Sequence, residues 1–117
     1  MKVGLIGLGR MGANMARRWR RDGHEVVGYA RTAETVAGLV ADGALSAGAG
    51  SIAALVGALP APRVVWLMVP AASVDETIAG LRPHLAAGDV LVDGGNSSYR
   101  DDIRRAAELA PAGIRYL

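Results

Sequence analysis

Three glycines near the start of the chain have the spacing of a phosphate-binding loop. They belong to a G-x-G-x-x-G pattern formed by Gly7, Leu8, Gly9, Arg10, Met11 and Gly12. The first glycine of such a pattern permits a tight turn, the second lets a pyrophosphate approach the backbone, and the third lets the helix pack closely on the strand. An apolar run precedes the pattern and a helical period follows it, which favours a dinucleotide site. The alternative is a glycine turn that joins a strand to a helix and binds nothing.

The end of the second apolar run bears on which dinucleotide binds. Domains that prefer NAD usually carry Asp or Glu about 20 residues after the glycines, where the carboxylate binds the ribose 2′-hydroxyl. This chain has Ala30 there, followed by Arg31 and Thr32. Without the carboxylate a 2′-phosphate is not repelled, and Arg31 and Thr32 can donate hydrogen bonds to it. These residues favour NADP over NAD, unless Arg31 is merely solvated and Thr32 only a helix N-cap.

Two further segments place turn or polar residues after strands. Within residues 92–101 a strand ends in Asp93 and a glycine pair, followed by Asn96, whose amide can donate and accept hydrogen bonds. We expect Asn96 to face a ligand, and the alternative is that it only caps the next helix. Within residues 66–73, Pro70 ends a strand and turns the backbone toward the same edge of the sheet as the glycine loop.

Composition excludes several classes of protein. The chain has 117 residues, of which 51% are hydrophobic and 21% charged, so it is a single folded domain rather than a disordered segment. Its net charge of +2 gives little support for nucleic-acid binding. The absence of Cys excludes a thiolate nucleophile, and the two His lack helical pairing, so no metal site is predicted. With no signal peptide and no long apolar run, we expect a soluble, cytoplasmic protein without a membrane partner.

The order of the elements predicts the fold. Continuous apolar runs of strand length occupy residues 3–6, 26–29, 64–69, 90–92 and 114–117, and a weaker strand is expected within 43–49. Helical segments separate these runs, and the connections are too long for hairpins. The strands should therefore form a parallel sheet with helices on both faces. This is an α/β, Rossmann-type doubly wound fold, with the chain ending at the sixth strand.

Two helices carry specific expectations. The first, over residues 10–22, places Met11, Met15 and Trp19 on one stripe. Another begins at Ser73, where the spacing to Glu76 is that of a capping box.

Three segments together resemble 6-phosphogluconate dehydrogenases. They are residues 4–16 (GLIGLGRMGANMA), 66–71 (WLMVPA) and 92–101 (VDGGNSSYRD), and the third is the most specific. The first fits the related 3-hydroxyisobutyrate-type dehydrogenases equally well. Those relatives usually carry Asp-x-Ser-Thr where this chain has residues 93–96, so that stretch points to the phosphogluconate enzymes. The resemblance covers the family's N-terminal cofactor domain.

The resemblance implies oxidative decarboxylation of 6-phosphogluconate to ribulose 5-phosphate, with NADP or, in some members, NAD accepting the hydride. By position, the glycine loop would hold the pyrophosphate, and Arg31 and Thr32 the adenosine 2′-phosphate. Asn96 would contact the nicotinamide ribose and the substrate. The residues implied on the nicotinamide side are Val69, Pro70 and Ala71. Ala30 replaces the Asn or Asp of family members, and Pro70 replaces a common Lys, so NAD stays possible.

The resemblance assigns no catalytic residue to this chain. In the family the catalytic Lys and Glu lie in later helices, and the single Lys here, Lys2, opens the first strand. Residues 1–117 then correspond to a dinucleotide-binding domain without the helical catalytic and dimerisation domain, which would bind nucleotide and turn over nothing. Full-length members are expected to be homodimers. The alternatives are a stand-alone dinucleotide-binding or regulatory module, or a fragment of a 3-hydroxyisobutyrate-type β-hydroxyacid dehydrogenase.

Overall fold

A computed structural model of the chain describes residues 1–95 and 98–117, with Tyr99 described by its backbone alone. The strands in these residues are β1 (Lys2–Ile6), β2 (Glu25–Tyr29), β3 (Ala47–Gly48), β4 (Val64–Leu67), β5 (Val90–Asp93) and β6 (Arg115–Tyr116). The helices are α1 (Arg10–Arg21), α2 (Ala33–Ala41), α3 (Ile52–Gly57), α4 (Val74–Leu81) and α5 (Tyr99–Leu109). Three-residue 3₁₀ turns lie at Ala71–Ser73, Arg82–His84 and Ala110–Ala112. Within this described part, no helix combines the length and apolar character needed to cross a bilayer.

The strands form one parallel sheet in the order β3-β2-β1-β4-β5-β6. The predicted doubly wound α/β fold is confirmed. The weak third strand is present as only two residues, Ala47–Gly48, within the expected segment. The strand order reverses at β1, which pairs with β2 on one side and β4 on the other. In sheets of this type, ligands bind at such a reversal, beyond the carboxyl ends of the strands.

Side chains of successive residues along a strand pack into two different hydrophobic cores, one on each face of the sheet. On β1, Leu5 packs with α1 and α2, whereas the next residue, Ile6, packs with the cluster of α3, α4 and α5. On β2, Val26 and Val27 divide in the same way. Burial on both faces explains why the strand sequences are continuously apolar rather than alternating.

The predicted stripe on α1 describes its buried face only in part, because Trp19 packs against the core under α1 and α2 whereas Met11 does not. Met11 is 66% exposed, and the buried residues are Gly12, Ala13 and Ala16. Small side chains let the helix approach the sheet more closely than a methionine stripe would. The amino end of α1 is therefore held close to the ends of β1 and β4.

The predicted capping box at Ser73 is also wrong. The turn Ala71–Ser73 precedes α4 and gives Ser73 φ −101° and ψ −4°, which is not the extended conformation of an N-cap that receives amide hydrogen bonds. Its hydroxyl makes no cap hydrogen bond, and its carbonyl accepts one from Thr77 Oγ1 at 2.8 Å. Glu76 is consequently not drawn back to cap the helix.

A buried carboxylate joins β4 and β5 at the opposite end of the sheet from their carboxyl ends. Asp89 is fully buried and accepts hydrogen bonds from the backbone N–H of Arg63 (2.7 Å) and Ala86 (2.8 Å) and from the Arg63 guanidinium (3.2 Å). Burial alone would raise the pKa of Asp89, but these donors outweigh it and hold the pKa below the ordinary value of 3.8. The ionised carboxylate therefore stabilises the fold.

Replacement of Asp89 by Ala should lower the free energy of unfolding by about 3 kcal/mol, because the buried donors lose their acceptor. Urea denaturation at neutral pH measures this loss. Glu108→Ala is the matched control, since its pair with Arg104 is exposed, and its cost should stay below about 1 kcal/mol. Because the native pKa is lowered, the wild-type advantage should persist above pH 3.8 and shrink as the pH falls through the native value. Equal losses in the two variants would contradict this role.

Candidate dinucleotide-binding site

A cleft of about 720 Å³ lies beyond the carboxyl ends of β1, β2 and β4, at the reversal of strand order. It is framed by the glycine loop after β1, the turn after β2, the turn after β4 and one side of α4. The predicted site residues that line it are Gly7, Leu8, Gly9, Ala30, Arg31, Thr32, Val69 and Pro70. The structure therefore brings together three segments that are far apart in the sequence.

Gly7 makes the tight turn that the sequence predicts. Its φ is +97°, a conformation that favours glycine. A Cβ at this position would lie 2.5 Å from the carbonyl oxygen of Met68, which leaves no room for a side chain. The Gly7 N–H donates to the carbonyl of Tyr29 at 3.1 Å. The loop is thus fixed between the ends of its two neighbouring strands.

Gly9 differs from Gly7 because the space above it is open. It is the N-cap of α1, with φ −69° and ψ −173°, and no atom lies within 4 Å of the position that its Cβ would occupy. No side chain caps the helix, and its first turn holds no acidic residue. The first helical bond runs from Ala13 N to Gly9 O at 2.8 Å. The earlier amides of the first turn are the donors that a helix end offers to an anion.

Gly12 provides the close packing of helix on strand. A Cβ there would overlap the carbonyl oxygen of Gly7 and would lie 3.6 Å from Met68 Cβ. Gly12, with the exposed Arg10 and Met11, does not line the cleft. Their backbone amides belong to the first turn of α1, at the end of the helix that opens toward the cleft.

The turn after β2 presents Arg31 at the mouth of the cleft. The Arg31 side chain is 78% exposed, and its guanidinium lies 3.9 Å from Glu76 Oε2 on α4. Thr32 is the N-cap of α2, but its hydroxyl makes no cap hydrogen bond. Ala30 is partly buried and contributes no charge. This end of the cleft therefore offers the Arg31 guanidinium and the Thr32 hydroxyl, which is not used for capping.

The turn after β4 forms the opposite wall. β4 ends at Leu67, two residues earlier than the sequence predicted, and Val69 and Pro70 line the cleft. Ala71 begins the 3₁₀ turn and is exposed outside the cleft lining. The Ser73 N–H donates to the Pro70 carbonyl at 2.8 Å, which fixes the change of chain direction after Pro70.

The segment after β5 is anchored by Asp93. Its Oδ1 accepts the Gly95 N–H at 3.0 Å, and its Oδ2 lies 3.1 Å from the Tyr116 hydroxyl on β6. A Cβ at Gly94 would overlap Trp66 Nε1 and lie 2.6 Å from Met68 Sδ, so a larger residue would force these two side chains to move. Asn96, the predicted ligand contact, lies outside the described residues. The N-cap of α5 is Ser98, whose hydroxyl accepts the Asp101 N–H at 3.1 Å.

A polar network continues from Tyr116 along α5. The Tyr116 hydroxyl lies 3.1 Å from Asp102 as well as from Asp93. Burial is the main cause that raises the pKa of Tyr116, and the negative charge of Asp93 is the second. Arg105 is 4% exposed and contacts both Asp102 and Asp75. Its hydrogen bond lowers the pKa of Asp75. The Arg105–Asp75 pair joins α5 to α4. Asp102 links Arg105 to Tyr116, which contacts Asp93 at the carboxyl end of β5.

Sequence reasoning missed the contribution of α4 to the cleft. Glu76, Thr77 and Gly80 of α4 line it, together with Ser73, the N-cap residue at the end of the preceding 3₁₀ turn. Their spacing of three and four residues places them on one face of a helix, so the helical period was the signal that could have found them.

Comparison with known proteins places the chain in a family. A family model described as the NAD binding domain of 6-phosphogluconate dehydrogenase matches residues 2–117. The chain belongs to this family. An NAD(+)-dependent, decarboxylating 6-phosphogluconate dehydrogenase of Haloferax volcanii is 46% identical over 113 residues, which are 96% of this chain and 37% of that protein.

Solved structures agree with the family assignment. The 6-phosphogluconate dehydrogenase of Plasmodium falciparum, studied as the apo form and with NADP+ or 6-phosphogluconate, matches with a TM-score of 0.90 and 30% identity. The match covers all of this chain and 26% of that one. A 3-hydroxyisobutyrate dehydrogenase of Mycobacterium tuberculosis has a TM-score of 0.84 at 23% identity over 98% of this chain and 38% of its own, a likeness of fold alone. The chain spans 23% to 39% of the length of the curated relatives compared with it.

Gly12→Ala should destabilise the fold, because the new methyl group meets backbone rather than a movable side chain. We expect a loss of about 2 kcal/mol or more in the free energy of unfolding. Gly38→Ala is the matched control, since Gly38 is also helical but its Cβ direction is open. That variant should gain about 0.5–1 kcal/mol. Thermal unfolding of both measures the contrast, and a neutral Gly12→Ala would contradict the close packing.

Proposed function

We propose that residues 1–117 are the NADP-binding domain of a phosphogluconate dehydrogenase, an enzyme that converts 6-phosphogluconate to ribulose 5-phosphate and carbon dioxide. The observation that carries the proposal is the open space above Gly9, at an uncapped helix end that faces the cleft. A cleft of about 720 Å³ is within the range of volumes that hold cofactors. The reaction in this proposal is inferred from membership of the family.

The glycine loop binds the pyrophosphate in this proposal. Gly9 lets the phosphates approach the backbone, and the amides of Arg10, Met11 and Gly12 face them from the positive end of α1. Gly7 and Gly12 hold the loop in position through their close backbone contacts. The dinucleotide, when bound, supplies a nicotinamide ring that accepts a hydride.

The turn after β2 selects NADP in this proposal. The Arg31 guanidinium can donate a pair of hydrogen bonds to a 2′-phosphate, and the Thr32 hydroxyl can add another. Ala30 leaves no carboxylate at the position from which NAD-preferring domains bind the 2′-hydroxyl and repel a phosphate. NAD remains a weaker ligand, since the pyrophosphate site is the same for both dinucleotides.

The nicotinamide end is assigned to the turn after β4 and to the segment after β5. Val69, Pro70 and Ala71 would lie along the nicotinamide, and Asn96 would contact the nicotinamide ribose and the 6-phosphogluconate. The hydrogen bonds of Asp93 to Gly95 and Tyr116 support this assignment, because they fix the backbone that leads to Asn96. No residue of this chain is assigned to catalysis.

The proposal divides the enzyme's work between two parts. Residues 1–117 bind the dinucleotide, whereas catalysis and homodimer formation belong to a helical domain that these residues do not include. The 117-residue chain alone should therefore bind nucleotide without turning over 6-phosphogluconate.

Gly9→Val should abolish NADP binding and leave the fold intact, because the new side chain fills open space that the pyrophosphate needs. Calorimetric titration measures the affinity, and circular dichroism checks the fold. Gly57→Val is the control, since Gly57 also has an open Cβ direction but lies at the end of α3, outside the cleft lining. Unchanged NADP affinity in Gly9→Val would reject the proposed pyrophosphate site.

Arg31→Ala should weaken NADP binding by about tenfold or more and leave NAD binding unchanged, because a charge-assisted hydrogen bond of about 1.5 kcal/mol is lost only with the 2′-phosphate. Arg18→Ala, which removes an exposed arginine from the far end of α1, is the control for net charge. Fluorescence titration with NADPH and NADH measures both ligands. Equal affinities of the wild type for the two dinucleotides, unchanged by Arg31→Ala, would refute the assignment of Arg31.

A further inference from the structure

The cleft contains a carboxylate that faces its proposed phosphate-binding arginine. Among the described residues that line the cleft, Glu76 is the one acidic side chain. Its Oε2 lies 3.9 Å from the Arg31 guanidinium across the mouth of the cleft, and the two side chains are 80% and 78% exposed. The pair therefore joins α4 to the turn after β2 at the end assigned to the adenosine 2′-phosphate.

Glu76 and its neighbour Asp75 have different surroundings. Both belong to the first turn of α4, but Asp75 makes ion pairs of 2.9 Å with Arg104 and with Arg105 on α5, away from the cleft lining. Glu76 has an ion pair with Arg31 alone among the described residues. The 3₁₀ turn before α4 leaves Glu76 free of the capping role that its spacing from Ser73 suggested.

We propose that Glu76 is a specificity-determining residue that limits the preference for NADP over NAD by competing with the 2′-phosphate for Arg31. This inference rests on the proposed function of the cleft. It assigns to α4 a part in dinucleotide selection, alongside the turn after β2.

The competition follows from charge and geometry. A guanidinium gives its two parallel hydrogen bonds to one anion at a time from a given edge, and at 3.9 Å Glu76 attracts the Arg31 guanidinium through charge without a hydrogen bond, so a phosphate competes with it for Arg31. A phosphate monoester carries a charge of about −1.5 to −2 at pH 7, and it is repelled by a carboxylate that lies within a Debye length of about 8–10 Å. The 2′-hydroxyl of NAD carries no charge and meets no such penalty. The exposed pair itself is weak, which makes displacement possible at a modest cost.

Glu76→Gln tests the inference, because the amide keeps the size of the side chain and removes its charge. NADPH should bind about three- to fivefold more tightly to this variant, and NADH affinity should not change. Glu25→Gln is the matched control, since it removes the same charge from an exposed residue at the amino end of β2, at the opposite end of the sheet from the cleft. An equal gain in Glu25→Gln, or no gain in Glu76→Gln, would overturn the proposed competition.

The double variant Arg31→Ala/Glu76→Gln shows whether Glu76 acts through Arg31. In the Arg31→Ala background the gain from Glu76→Gln should fall by more than half, because there is no guanidinium left to compete for. An unchanged gain would overturn the inference. Failure of the wild type to bind either dinucleotide would reject the proposed function itself. NADPH affinity that falls in Arg31→Ala but does not change in Glu76→Gln would reject only the role of Glu76.

Discussion

The contact between the backbone of Gly7 and helix α1 at Gly12 constrains everything around the cleft. At these two positions a Cβ would meet carbonyl oxygens, of Met68 at Gly7 and of Gly7 at Gly12, so the loop, the helix and the end of β4 can approach one another only without side chains. Between them, Gly9 faces open space at the positive end of the helix. A tight backbone contact on either side thus leaves one unobstructed site for an anion.

The rest of the fold keeps that arrangement in place. β1 lies in the middle of the sheet with parallel partners on both sides, and its two faces are covered by separate apolar cores. The buried Asp89 joins β4 and β5 at one end, and the chain of polar contacts from Asp93 through Tyr116 to Arg105 joins β5, β6 and α5 at the other. The loops at the cleft therefore extend from strands whose positions are fixed on both sides.

Much of this could be predicted from the sequence because it depends on local pattern. The glycine spacing, the continuous apolar strands and the turn at Ala30 and Arg31 are each contained within a few residues, and the fold they predict is confirmed. The errors arose where packing decides the outcome. Met11 was placed on the same stripe as Trp19, yet the helix approaches the sheet through Gly12 and Ala16 instead. Contacts between distant residues, such as the pair of Asp93 and Tyr116 or of Arg31 and Glu76, leave no trace in a single sequence. The role of Asn96 stays a prediction.

The proposed function requires the dinucleotide to bind at the amino end of α1 rather than at another positive surface of the chain. The direct measurement is a titration of the isotopically labelled chain with NADP, followed by amide chemical shifts in NMR spectra. The largest shifts should occur at Gly9, Arg10, Met11 and Gly12, with further shifts at Arg31 and Thr32. Shifts confined to the arginines at the far end of α1, with the glycine loop unchanged, would contradict the account.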